Sequence, residues 1–238
     1  MALVLSHLLA AYAVLAAPWL GYISFRRARR LIAAGVPDAK VRLYRQIVIE
    51  QILMTVVVVL LLRGGVSAAS LGLVAPRSWP WNIAVFIVVS GLLAWSSLRL
   101  RPRADKIRRK VKDSVGALLP RSLQERFWFG AISFGAGVSE ELVFRGFLLY
   151  YLSIYLPHLD TLEKVLLISA SFGLGHIYQG RVGAIGAGVL GLVFTGIYLV
   201  TGSLLLPMAL HAAVDARALL MFPPEPSPAL AAQSHASI

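Results

Sequence analysis

An all-α, polytopic transmembrane bundle of about seven spans is the fold this sequence predicts. Three observations predict it. Of the 238 residues, 58% are hydrophobic and only 14% are charged, a balance that no water-soluble domain of this size could hide in one core. Apolar stretches long enough to cross a hydrocarbon core of about 30 Å recur along the chain. Most cations are gathered in two connections, 26–45 and 99–126, and the positive-inside tendency puts both on the cytoplasmic side. The net charge of +12 therefore reads as an orientation signal or a contact with anionic lipid, and no nucleic-acid partner is expected. Cysteine is absent, so a nucleophile or metal ligand has to come from oxygen or imidazole chemistry.

The first span is expected at about 3–25. Its basic cluster follows the apolar run, which is the reverse of a cleaved signal peptide. An amphipathic or irregular basic segment comes next, broken by Gly35 and Pro37. The second span is expected at about 46–62, with Glu50 near its basic end and able to snorkel toward Arg45. Residues 64–81 hold Gly64, Gly65, Pro76, Pro80, Trp79 and Trp81 and read as an external loop with aromatic residues at the interface. The third span follows at about 82–98, and then the second basic connection.

The fourth span, about 127–151, carries Glu140, Glu141 and Arg145 in its interior, and the fifth, about 162–177, ends near His176. In the sixth, about 182–200, Gly183, Ala187, Gly191 and Thr195 recur every four residues and make a small-residue stripe for close packing. The seventh, about 204–222, contains His211 and Asp215. Residues 1–222 thus form one bundle, and 223–238, rich in Pro, Ala and Ser, are expected to be a disordered tail. The sequence has no internal repeat of the transporter kind.

Charged side chains inside a span cost about 2.5–3.5 kcal/mol each on insertion scales, so the fourth span demands compensation or a use. Glu141 and Arg145 stand four apart with the acid first, the favourable order for a helical pair. Glu140 is left without a local partner, and a glutamate in a partly dry cavity is a candidate general base. His176 follows Phe172 by one turn, with Gly173 and Gly175 leaving room beside it. His211 and Asp215 repeat that spacing, so that the carboxylate can accept a ring N–H and fix the tautomer. Each pattern taken alone also fits interhelical polar packing. Ser139, just before Glu140, sits in no nucleophile motif. His7, His158 and His235 carry no signal.

Taken together, E-E-x-x-x-R, F-x-x-x-H and H-x-x-x-D on successive membrane helices resemble the CAAX prenyl protease and bacteriocin-processing (CPBP) family, the Rce1-like intramembrane peptidases. The motifs fall within 127–222. The resemblance implies a catalytic set of Glu140, Glu141, Arg145, His176, His211 and Asp215. In that set Glu140 activates water, the histidines bind or stabilise developing charge, and Glu141 and Arg145 support the site. Many members of the family have asparagine where this chain has Asp215. If that asparagine hydrogen-bonds the oxyanion, ionised Asp215 cannot, and it must orient His211, bind metal or be protonated.

The expected activity is hydrolysis of a membrane-associated peptide or protein by an endopeptidase, in a multi-pass protein of a bacterial plasma membrane. Zinc held by Glu140, His176 and His211 is one scheme. Metal-free attack by a glutamate-activated water is the other, since no H-E-x-x-H helix occurs. Two non-peptidase readings compete: a scaffold, immunity or regulatory factor that uses the polar residues as glue, and a proton-coupled transporter.

Overall fold

The computed structural model describes residues 2–111 and 115–224. The expected tail, from residue 225 on, lies outside the described residues, as do His235 and Lys112. Among the described residues every regular element is helical, and the helices join into seven rods. Rod α1 is Ala2–Ala33, with a π segment at Tyr12–Ala16, and α2 is Ala39–Arg63. Rod α3, Trp79–Leu100, continues through Arg101–Arg103 and Ala104–Lys110. Rod α4 spans 123–155 as Leu123–Glu140, a π segment Glu141–Leu148, and Leu149–Tyr155. Thr161–Gly175 is α5, Arg181–Thr201 is α6 and Leu205–Met221 is α7.

The rods match the expected spans in order. Four of them, α1, α2, α3 with its continuation, and α6, are long and apolar enough to cross a membrane. Rod α4 is interrupted by its charges, while α5 has 15 residues and α7 has 17, about 22 and 26 Å at 1.5 Å per residue. Large apolar side chains such as Leu8, Trp19, Ile52, Ile87, Phe134 and Val182 are exposed on the outside of the bundle, as lipid-facing residues would be.

Helix boundaries depart from expectation in one consistent way. Helix α1 runs on through the arginines to Ala33, and α2 begins at Ala39, so of the amphipathic and irregular readings of the first basic segment the helical, amphipathic one fits. Lys and Arg are good helix formers, so charge did not mark the helix ends. The break shrinks to residues 34–38, where Gly35 takes φ 70°, a left-handed conformation suited to glycine. Better stop signals lie elsewhere. Ser122 caps α4 by accepting from the Glu125 N–H, and Asp160 with Glu163 forms a reciprocal capping box at the start of α5.

The two basic connections meet at one end of the bundle. Lys40 Nζ donates to Leu119 O at 3.1 Å and pairs with Glu125 at 3.0 Å, and the Tyr44 hydroxyl donates to Leu118 O at 2.6 Å. Arg126 closes the same end of α7 through Phe222 O and Leu219 O.

Small residues let the rods approach around the charged centre of α4. On the α6 stripe Ala187, Gly191 and Thr195 are buried, and a Cβ on Gly191 would lie 3.2 Å from Ser169. Gly173 faces α6 as well: a Cβ there would stand 2.8 Å from Ala184 O, so its role is close packing and not space beside His176. Gly137 is the tightest point between α4 and α7, since its Cβ would fall 2.6 Å from Met208 O and 2.9 Å from the Ala212 side chain. Gly137→Ala is therefore expected to destabilise the bundle by about 1–3 kcal/mol, the usual cost of overpacking. A lowered unfolding temperature in detergent is the readout, and an unchanged one would mean that α7 yields freely.

Candidate active site

Glu141 and Arg145 sit inside the π segment of α4, both fully buried, with Arg145 Nη1 donating to Glu141 Oε1 at 2.9 Å. The pair expected from the one-turn spacing is present. The Arg145 guanidinium also lies 4.2 Å from the centroid of the Phe172 ring and 5.8 Å from that of Phe194, where the aromatic faces receive its charge. The same Glu141 Oε1 accepts from His211 Nδ1 at 2.8 Å. That contact joins α4 to α7.

This bond overturns one expectation. Asp215 was to accept the ring N–H of His211 and fix its tautomer, yet its Oδ2 stands 3.8 Å from Nε2, beyond hydrogen-bonding distance. Glu141 occupies the position behind His211 instead. A spacing of four puts Asp215 on the correct face of α7 but does not choose which ring nitrogen it meets.

His176 is the residue just past the C-terminus of α5. Its Nδ1 lies 2.8 Å from Phe172 O, and because a carbonyl can only accept, that nitrogen carries the proton. The bond satisfies an orphan carbonyl of the last turn and turns Nε2 toward α4. The Phe172 ring lies 4.6 Å from the imidazole, centroid to centroid, as the F-x-x-x-H spacing implies.

Both Nε2 atoms therefore face Glu140. Its Oε2 is 4.0 Å from His176 Nε2 and 3.9 Å from His211 Nε2, and it has no hydrogen-bond partner. Three rods thus bring all six expected residues into one cluster, with Asp215 at its edge. Glu140 and His176 line a cavity of about 150 Å³ between α1, α2, α4 and α5. His176, His211 and Asp215 line a second hollow of about 420 Å³ between α5, α6 and α7. Ser139 is buried beside the first cavity, with no hydrogen-bond partner for its hydroxyl.

Tetrahedral ligands about 2.1 Å from a zinc ion stand about 3.4 Å from one another. The spacings of 3.9 and 4.0 Å from Glu140 to the two imidazoles are wider than that. Among the described residues no group of three or more His, Asp or Glu side chains is placed to hold a metal ion.

Two polar residues of the cavity were missed or misplaced in the sequence. Tyr178, in the short turn Ile177–Gln179, stacks obliquely on His176 with ring centroids 5.9 Å apart. Burial above all, with Glu140, Asp215 and Glu50 acting in the same sense, keeps its hydroxyl protonated well beyond the usual phenol range. Glu50 does not snorkel toward Arg45. It accepts from the Tyr12 hydroxyl and lines the cavity with Glu140, while Arg45 stacks on Trp128 at 5.2 Å.

Residues 122–217 match the family model described as type II CAAX prenyl endopeptidase Rce1-like. The chain carries an Rce1-like domain. This domain runs from the cap of α4 to Arg217 in α7 and contains all six clustered residues. The matched stretch is similar to a family of intramembrane endopeptidases, and the four rods long and apolar enough to cross a membrane accord with an integral membrane protein. No match to the chain was found among curated proteins or solved structures. Rods α1–α3 lie outside the Rce1-like domain, although α1 and α2 supply one side of its cavity.

Proposed function

We propose that this protein cleaves a membrane-associated peptide or protein by direct attack of a water molecule activated by Glu140. The observation that carries the reading is the 4.0 Å separation of Glu140 Oε2 and His176 Nε2, two acceptors without a direct bond between them. One water can donate a proton to each at an ordinary length of about 2.8 Å, which leaves its oxygen lone pairs free for a carbonyl carbon.

In this scheme water oxygen bonds to the scissile carbon while Glu140 takes a proton. His211, oriented by Glu141 and carrying a proton on Nε2 at that stage, donates to the developing oxyanion. Asp215 lies close enough to that Nε2 to balance its charge without holding it. When the C–N bond breaks, the proton on Glu140 passes to the leaving amine. Arg145 acts at one remove, donating to Glu141 and so holding it in place behind His211.

The test compares membranes carrying the native chain with membranes carrying Glu140→Gln and reads new peptide termini. Termini that vanish with the variant support the reading, and identical sets of termini would sink it. The reading is metal-free, so cleavage by purified protein is expected to persist after exhaustive chelation and to gain nothing from added zinc. Loss on chelation with recovery on zinc would move Glu140 from base to ligand.

A further inference from the structure

The wall of the Glu140 cavity contributed by α1 and α2 has a use that the hydrolytic scheme leaves open. Glu50 puts a second carboxylate into a cavity otherwise walled largely by residues such as Phe25, Leu43, Ile47 and Met54. It lies within a helix apolar enough to span a membrane, where an unpaired charge is costly. Among the described residues its partner is the Tyr12 hydroxyl, and no cation stands within ion-pair distance of it. Arg45, one turn and a residue away, is turned to Trp128.

Two independent features mark the same cavity as a place where something polar binds. Gln51 and Ser139, only 7% and 1% exposed, line it, and the enclosed Gln51 Oε1 and Ser139 Oγ have no hydrogen-bond partner. The α1 helix, moreover, widens to π geometry at Tyr12–Ala16, the stretch that delivers Tyr12 to Glu50 and Ala13 to the cavity wall. The other π segment, Glu141–Leu148, faces the cavity through Phe144. Such local widenings recur at functional sites because they re-aim side chains at a cost in helix regularity.

We propose that this cavity is a subsite for a cationic group of the substrate, a lysine or arginine side chain or a free amine, with Glu50 as its counter-charge and Tyr12 as the residue that positions Glu50. Only the word substrate rests on the peptidase reading; the cation preference stands on the cavity itself. Charge complementarity selects the occupant: a neutral aliphatic group would leave Glu50 with one phenol for company, whereas an ammonium or guanidinium completes the pair.

The experiment uses the full-length protein in lipid nanodiscs and two photoreactive probes, a diazirine-bearing twelve-carbon alkylamine and the matching alcohol. The amine is expected to label cavity residues such as Phe25, Ile47 or Met54, and the alcohol to label them weakly. Glu50→Gln should lower amine labelling about tenfold, the effect of losing one charge-assisted contact, and leave alcohol labelling unchanged. Tyr12→Phe should give a smaller loss. Glu140→Gln should keep the amine signal, which separates Glu50 from the other carboxylate. Equal labelling by the two probes in native protein would overturn the proposal whether or not the variants fold, and so would a loss that follows Glu140 and not Glu50. Peptide termini that ignore Glu140→Gln would end the peptidase reading and leave this result standing.

Discussion

Glu140→Gln is expected to slow peptide cleavage by purified protein about a thousandfold, within the range that a positioned general base contributes. The amide keeps the shape of the side chain and removes its ability to take a proton. Stability should hardly move, because Glu140 Oε2 has no hydrogen bond to lose and the side chain is about a quarter exposed. The measurement is single-turnover cleavage in liposomes beside an unfolding curve of the same preparation. A native rate would pass the role of base to another group, with Asp215 next in line by position.

Breaking the Glu141–Arg145 pair should have the opposite profile, with stability failing first. Both side chains are wholly enclosed, so Glu141→Leu or Arg145→Leu leaves one uncompensated charge in the bundle at a cost of about 3–5 kcal/mol. Low membrane yield and early unfolding are expected for each single variant. The double variant, with leucine at both positions, should recover most of that stability, since apolar replacement of a buried pair is often neutral. It should not recover cleavage, because His211 Nδ1 has then lost its acceptor. A double variant that cleaves normally would strip Glu141 of its orienting role.

The polar cluster around Glu140 was legible in the sequence because charge is expensive in an apolar run, so Glu140, Glu141, Arg145, His211 and Asp215 stand out against their neighbours. Spacing by four also gave the Glu141–Arg145 and Phe172–His176 contacts, which lie within single rods. It failed at His211, whose partner Glu141 is 70 residues away: periodicity shows which face a residue shares, not what another helix brings to it. Glu50 failed for the same reason. A basic neighbour at Arg45 offered an obvious local partner, while the actual one, Tyr12, comes from a different rod. The helix ends are not legible from charge, because lysine and arginine continue a helix as readily as they leave it. The break at Gly35, where backbone geometry and not charge decides, was read correctly.

His176 forms part of the wall of both hollows. Under the proposed hydrolysis a severed chain would have room on two sides of that imidazole, one fragment toward α1 and α2 and the other toward α6 and α7. A block of either hollow would then hold back one fragment and leave the other free to go.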